Sequence, residues 1–203
     1  NGNRQLKKAF TKLSLSEIHK IEIEKCAEDI HYFKNNYIKI KTKTGINFPD
    51  LRKYQDDFIN IMDDSDEEDV VSLQPRQSGK SVTVAVYLTH GFLFMKDINI
   101  GIVGNKGAQA REFLANAKNI LIELPSWLQV GIQTWNKSYI EAENGMRILT
   151  DVPSQDAFRG FTIAILVVDE AAFIRTNVWN EFADSIFPSQ SALSWKKNII
   201  LST

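Results

Sequence analysis

The chain has 203 residues, of which 43% are apolar and 24% charged, enough to bury one substantial core and to make one main domain the default. Its formal charge of −1 gives the molecule as a whole no field that draws it to nucleic acid, so any DNA contact has to come from a local patch. Cys26 is the only cysteine and cannot form an internal disulfide; His19, His31 and His90 have no metal-ligand spacing with it. No stretch is apolar for long enough to span a bilayer, and Arg4, Lys7 and Lys8 are not followed by the apolar run of a secretory signal, so a reducing cytoplasm is expected.

Residues 1–13 read as loosely ordered. A helix is predicted from Ser14, where Ser14 and Glu17 have capping-box spacing. Ile23, Cys26, Ile30 and Phe33 recur at three- and four-residue steps, which gives that helix one apolar face to pack on the core. Lys39, Lys41 and Lys43 alternate with Ile38, Ile40 and Thr42, so an extended segment there puts all three ammonium groups on one face. A solvated edge strand and a DNA-phosphate contact both fit that face, and no role is assigned to it. Residues 51–62 read as a helix. The acidic run of residues 63–69 lacks the glycine and ligand spacing of a calcium loop and reads as a solvated turn.

From residue 70 the pattern becomes strand, turn, helix, repeated. Strands are expected over 70–73 and 98–103, helices over 79–94 and 107–123, and a hairpin pairing 139–141 with 147–149 across Asn144-Gly145. Residues 163–168 and 198–201 are short continuous apolar runs, as expected of parallel strands buried on both faces. The fold class is α/β, a mostly parallel sheet flanked by helices.

Gln74-Pro75-Arg76-Gln77-Ser78-Gly79-Lys80-Ser81 lies between an apolar strand and a helix, the context of a Walker A phosphate loop. Successive backbone N–H groups of Gln77, Ser78, Gly79, Lys80 and Ser81, aided by the helix dipole, would meet an anionic phosphate. Lys80 would bridge the β- and γ-phosphates, and the Ser81 hydroxyl would ligate Mg2+. The loop is deviant, because Gln74 stands where a glycine is usual and Pro75 has no N–H. An ordinary strand-to-helix turn is the competing reading of this segment alone.

Ile165-Leu166-Val167-Val168-Asp169-Glu170 has the form of a Walker B strand, delivering two carboxylates to the C-terminal edge of a sheet, where ligands of open α/β folds bind. Asp169 would hold Mg2+ and Glu170 would orient and polarise the attacking water. The competing reading is an acidic first turn of the following helix. Both motifs in one chain, in this order, point to hydrolysis of a nucleoside triphosphate.

With these motifs in place, nearly the whole chain resembles the N-terminal ATPase domain of the large terminase subunits of tailed bacteriophages, of the contractile-tailed (myophage) type. The resemblance implies a phosphate-loop NTPase of the additional-strand, RecA/terminase-like class with an N-terminal helical extension (residues 1–50) packed on an ATPase core (residues 51–203). Leu51-Arg52-Lys53-Tyr54-Gln55 is similar to the family's adenine-recognition segment, so Tyr54 is expected to stack on adenine and Gln55 to read its N6/N7 edge. Arg76 matches the early basic residue of terminase loops and is expected to act as an arginine finger in cis. Asn105-Lys106-Gly107 and Asp156-Ala157-Phe158-Arg159-Gly160 also look like terminase segments; Arg159 could sense nucleotide, contact a neighbour or form a structural salt bridge.

Leu201-Ser202-Thr203 is similar to the family's coupling motif, on a strand expected between the phosphate-loop strand and the Walker B strand. Stopping there suggests a chain truncated at that strand, with the family's nuclease domain outside it and no nuclease activity in it. The resemblance further implies ATP and Mg2+ as cofactors. The implied partners are double-stranded DNA, the portal protein, the small terminase subunit and sister subunits in a ring, the isolated chain being monomeric. It would work in the host cytoplasm and transiently at the procapsid portal vertex, away from any membrane. A helicase-like translocase of superfamily 2 and a nucleotide-binding switch or scaffold without turnover are the alternatives.

Overall fold

The computed structural model describes residues 5–42, 45–66 and 68–203. Its centre is a seven-stranded sheet built from β3 (Asp69–Leu73), β4 (Asn99–Gly104), β5 (Ile132–Trp135), β6 (Tyr139–Ala142), β7 (Arg147–Asp151), β8 (Ile163–Asp169) and β9 (Lys197–Ser202). The spatial order is β3-β9-β8-β4-β7-β6-β5. The first five strands run parallel, and β6 and β5 add an antiparallel margin. The sequence-predicted hairpin has the expected register, Tyr139 facing Leu149 and Glu141 facing Arg147. As the resemblance implies, β9 lies between the strand that precedes the Gln74–Ser81 loop and the strand that ends in the acidic pair.

All seven residues of β8 are buried, and their alternation divides the core. Ile165 and Val167 join the cluster that holds Ile100, Ile102, Phe113 and Leu88. Leu166 and Val168 join the other, with Val103, Phe158, Phe182 and Ile186. Successive side chains of a strand point to opposite faces, so the sheet is covered on both: by α4 (Lys80–Phe94) and α5 (Gly107–Glu123) on one side, and by α6 (Thr176–Gln190) with the loop 154–161 on the other. Burying each such Val, Ile, Leu or Phe contributes about 1.5–3 kcal/mol. The loop can lie this close because β4 carries Gly101: a Cβ there would stand 2.8 Å from the Phe158 ring.

Several local expectations are corrected. The first helix, α1 (Glu17–Glu28), is capped by Ser16, whose hydroxyl accepts the His19 N–H at 3.2 Å, rather than by Ser14. It does not run on to Phe33. Asp29 leaves the helical region (φ −135°) and its carboxylate caps a second helix, α2 (Ile30–Tyr37), through the His31 and Tyr32 N–H groups. The predicted apolar face is therefore shared by two helices, with Cys26, Ile30 and Phe33 in the same core as α4.

Residues 5–11 are pinned rather than loose. Lys7 pairs with Glu143 at 2.8 Å, and Gln129 accepts the Lys7 N–H while donating to the Gln5 carbonyl. The helix predicted over 51–62 is α3 (Lys53–Asp63). Lys39 and Lys41 flank Ile40 of β1 (Ile40–Thr42), which pairs with β2 (Gly45–Asn47); Lys43 lies outside the described residues, as does Glu67 of the acidic run.

Two outcomes follow from the packing. Gly101→Val should destabilise the chain by about 1–3 kcal/mol, the usual cost of overfilling a packed site, read as a lower urea midpoint at unchanged m-value. Glu22 accepts hydrogen bonds from the Tyr37 and Tyr32 hydroxyls and from Lys25, which hold its carboxyl at about 2 instead of 4.5. A depressed folded-state value adds stability above the unfolded-state value and loses it as pH falls through the folded one. Unfolding free energy should therefore fall more steeply between pH 4.5 and about 2 in the parent than in Glu22→Gln, as measured by urea titration at each pH.

Candidate nucleotide-binding site

Parallel strands bring their C-terminal ends to one edge of the sheet. There β3 runs into Gln74, β9 ends at Ser202, β8 ends at Asp169 and β4 ends at Gly104. The connections that leave this edge wall a cleft of about 660 Å³, lined by residues 76–82, by Asn105, Lys106, Gln109 and Glu112 at the start of α5, and by Glu170, Phe173 and Thr203.

The phosphate loop is a turn closed by the Ser78 N–H on the Pro75 carbonyl at 3.3 Å. Gln77 takes a left-handed conformation (φ 61°) and so does Gly79 (φ 82°), a geometry that costs a non-glycine residue about 1–2 kcal/mol. Gly79 is needed for space as well, because a Cβ there would overlap the Gln55 side-chain nitrogen. Lys80 then starts α4, the Val82 and Thr83 N–H groups turning back to the Gly79 carbonyl.

The Ser78 carbonyl is held from behind by α3: it accepts from the Tyr54 hydroxyl at 2.7 Å and from Gln55 Nε2 at 3.1 Å. In a trans peptide the N–H points opposite to the C=O, so these bonds turn the Gly79 N–H away from α3 and toward the cleft. The Gln55 amide is engaged at both ends, since its Oε1 accepts the Arg52 N–H at 2.8 Å. It supports the loop in this structure, and reading a base edge would require those bonds to open. Tyr54 is 41% exposed and borders a second, largely apolar cleft of about 520 Å³ with Phe58, Ile61, Leu73 and Pro75; Arg76, Gln77 and Ser78 line both clefts.

Lys80 and the acidic pair meet. The ammonium lies 3.0 Å from Glu170 Oε1 and 3.3 Å from Asp169 Oδ1, all three side chains being at most 17% exposed. Glu170 is left-handed (φ 53°) and its carboxylate caps no helix. Instead, Glu170 Oε2 accepts the Thr203 hydroxyl at 2.8 Å. Burial alone would raise the Glu170 carboxyl, but the Lys80 and Thr203 hydrogen bonds and the Lys80 and Arg76 charges outweigh it and hold the group below its ordinary value. For Asp169 burial wins over the Lys80 charge, and the carboxyl is pushed up.

Asp169 Oδ1 is buried with no hydrogen-bond donor, close to the ammonium but badly aligned with it. That carboxylate oxygen lies 3.3 Å from Lys80, which lines the cleft together with Ser81; a carboxylate and a hydroxyl are hard-oxygen donors of the kind that suit Mg2+, which takes few protein ligands and completes its shell with phosphate and water. Among the described residues no group of three or more His, Cys, Asp or Glu forms a self-sufficient metal site.

The β9 terminus ties both motifs together. The Ser202 carbonyl accepts the Gln74 N–H at 3.0 Å, and its hydroxyl accepts the Ala172 N–H at 3.3 Å; Leu201 is fully buried behind them. Arg76 is exposed, lines the cleft and contributes its charge at Glu170. Arg159 is elsewhere: it pairs with Asp156 at 3.1 Å on the open surface and is not in the cleft lining. Sequence reasoning assigns no role to Asn105 and Lys106 and does not single out Gln109, Glu112 or Phe173. The signal available for the first four is their place just after a strand in the same parallel sheet.

A parallel sheet with this strand order, a phosphate loop on one strand and an acidic pair two positions away defines a phosphate-loop, RecA-like nucleotide-binding fold. Residues 71–185 match the family described as terminase large subunit, T4likevirus-type, N-terminal, and the chain belongs to that family. Solved structures agree in fold. The large terminase of bacteriophage HK97 superposes with a TM-score of 0.71 at 20% identity, over 87% of this chain and 37% of that one. The large terminase ATPase domain of Thermus phage P74-26 gives 0.58 at 19% identity, over 81% and 70%. The large terminase of a thermophilic bacteriophage in complex with ADP gives 0.57 at 16% identity, over 75% and 38%. The chain thus spans little more than a third of the HK97 protein and of that ADP-bound terminase.

The Gly79 geometry can be tested directly. Gly79→Ala should leave the thermal midpoint within a few degrees while weakening nucleotide binding by an order of magnitude or more, measured by calorimetric titration, since the new methyl displaces the group that orients the loop.

Proposed function

We propose that this chain hydrolyses ATP and is the motor domain through which a terminase large subunit drives double-stranded DNA into a procapsid. The observation that carries the reading is the convergence of Lys80 with Asp169 and Glu170 at 3.3 and 3.0 Å beneath a loop whose left-handed Gln77 and Gly79 curl the backbone into an anion nest. Residues 51–203 form the ATPase core in this reading and residues 1–50 an extension packed on it.

The triphosphate occupies the cleft between the loop and α5, with the backbone N–H groups of residues 77–81 around its phosphates and Lys80 on the β- and γ-phosphates. Lys80 pairs with both carboxylates; the γ-phosphate takes over as its partner and frees Glu170 to face a water molecule. Glu170 accepts the proton of that water as its oxygen attacks the γ-phosphorus and the bond to the leaving ADP oxygen breaks. Ser81 and Asp169 would hold Mg2+, which would supply charge neutralisation on the phosphates. Arg76 swings from the loop rim to the charge developing on the transferred group. Adenine stacks on Tyr54, and Gln55 braces the loop through the Ser78 carbonyl. Thr203 and Ser202 report the state of Glu170 to β9, the coupling step.

DNA, the portal protein and the small subunit are the partners this role requires, together with sister subunits in a ring at the portal vertex in the host cytoplasm. No helix among the described residues is long and apolar enough to cross a membrane. Family membership favours the packaging motor over a helicase-like translocase, which shares the ATP chemistry. A switch or scaffold without turnover is separated from both by one substitution. Glu170→Gln should lower phosphate release at least a hundredfold while MgATP binding stays within a few-fold of the parent; hydrolysis at the parent rate would remove Glu170 from the catalytic role.

A further inference from the structure

The residue that makes the loop deviant is also built into it. Gln74 stands where the usual pattern has a glycine, and its amide is not idle. Nε2 donates to the Ser72 hydroxyl at 2.9 Å and Oε1 accepts the Ser78 hydroxyl at 3.1 Å. Its backbone N–H reaches the Ser202 carbonyl at 3.0 Å, one residue beyond the Leu73–Ser202 pair that ends the β3–β9 ladder.

Ser78 is 7% exposed and is gripped from two directions. Gln74 takes its hydroxyl, while Tyr54 and Gln55 take its carbonyl. With both fixed, the Ser78–Gly79 peptide plane has one orientation, the one that sends the Gly79 N–H into the cleft. Glycine at position 74 could supply neither side-chain bond. A continuous path therefore runs from the end of β9, through the Gln74 backbone and amide, to the residue before Gly79-Lys80.

We propose that Gln74 is a positioning residue: acting through the Ser78 hydroxyl, it sets the phosphate-binding plane of the loop and ties it to the C-terminal end of β9. The inference rests on the nucleotide-site reading above and adds a residue to it. Gln74 touches no substrate atom. It pre-organises the backbone that does, so its loss raises the cost of ordering the loop around phosphate, which appears in affinity before it appears in the chemical step.

The test is a double-mutant cycle on the 203-residue chain, with MgADP and MgATP binding measured by calorimetry and turnover by phosphate release. Gln74→Met keeps the volume and deletes both side-chain bonds; Ser78→Ala deletes the hydroxyl and keeps the backbone. Each should raise Kd for both nucleotides about fivefold, the scale of one net hydrogen bond. The pair together should do no worse than either alone, because they remove one shared interaction. KM should rise in step while kcat changes less than twofold. Gln74→Ala provides a second route to the same deletion should the methionine variant fold poorly. An unchanged Kd in the Gln74 variants, or effects that multiply to about 25-fold in the double variant, overturns this inference alone. A parent chain that binds neither nucleotide overturns the nucleotide-site reading and this inference with it.

Discussion

One partly buried ammonium holds the site together. Lys80 stands between two carboxylates delivered by the next motif along the sheet, in a cleft edge where all three groups are largely shielded from water. Removing the lysine would leave two adjacent carboxylates with no counter-charge, so the lysine and the acids have to be placed together. The sheet order meets that demand. With β9 between β3 and β8, the loop after β3 and the acids after β8 are two strand spacings apart, roughly 10 Å. The extended lysine at the start of α4 spans that gap. A strand order that separated β3 from β8 further would leave both motifs present and the site unformed.

The same constraint explains why the acids differ in pKa direction while sharing one cation. Asp169 closes a strand buried along its whole length, and desolvation dominates it. Glu170 is one residue on, where the chain has turned into the left-handed region and the carboxylate gains Lys80, the Thr203 hydroxyl and the Arg76 field. Two adjacent carboxylates are thus driven apart by a single change in backbone direction, the separation that lets one suit a cation and the other a proton. A third group, the β9 terminus, stands in contact with both the loop and Glu170.

What is legible in the sequence is what repeats at strand or helix period or occupies a fixed place in a motif. The apolar runs that form β8 and β9, the Asn144-Gly145 hairpin, the Gly79-Lys80-Ser81 loop and the Asp169-Glu170 pair all announce themselves in this way. Other features depend on contacts between residues far apart in the chain. The break at Asp29 comes from a side chain choosing to cap rather than continue, which the apolar spacing on either side conceals. Helix α6 escapes prediction because its ends carry few signals: Arg175 makes no side-chain cap bond, and Pro188 sits inside the last turns. Strand β5 has four residues and an irregular register at Ile132 and Thr134. Gln55 is legible as a residue of interest, but its engagement by Arg52, Ser78 and Thr83 could not be read from spacing.

The deviations from the usual loop pattern are mutually consistent once the neighbours are known. A glycine at the first position gives a phosphate loop freedom of backbone; here Gln74 forgoes that freedom, and Pro75 forgoes an N–H that would in any case precede the anion-facing run. Rigidity must then be correct rather than merely present, because a loop fixed in a wrong plane cannot adapt to phosphate. Three donors and acceptors, from Gln74, Tyr54 and Gln55, converge on Ser78, and at position 79, where a Cβ would meet the Gln55 amide of that brace, the chain has glycine. The loop therefore does not approximate the common pattern with errors. It replaces intrinsic backbone flexibility with an external scaffold, built from α3 and from the end of β3, where the motif by which such loops are recognised has no side chain at all.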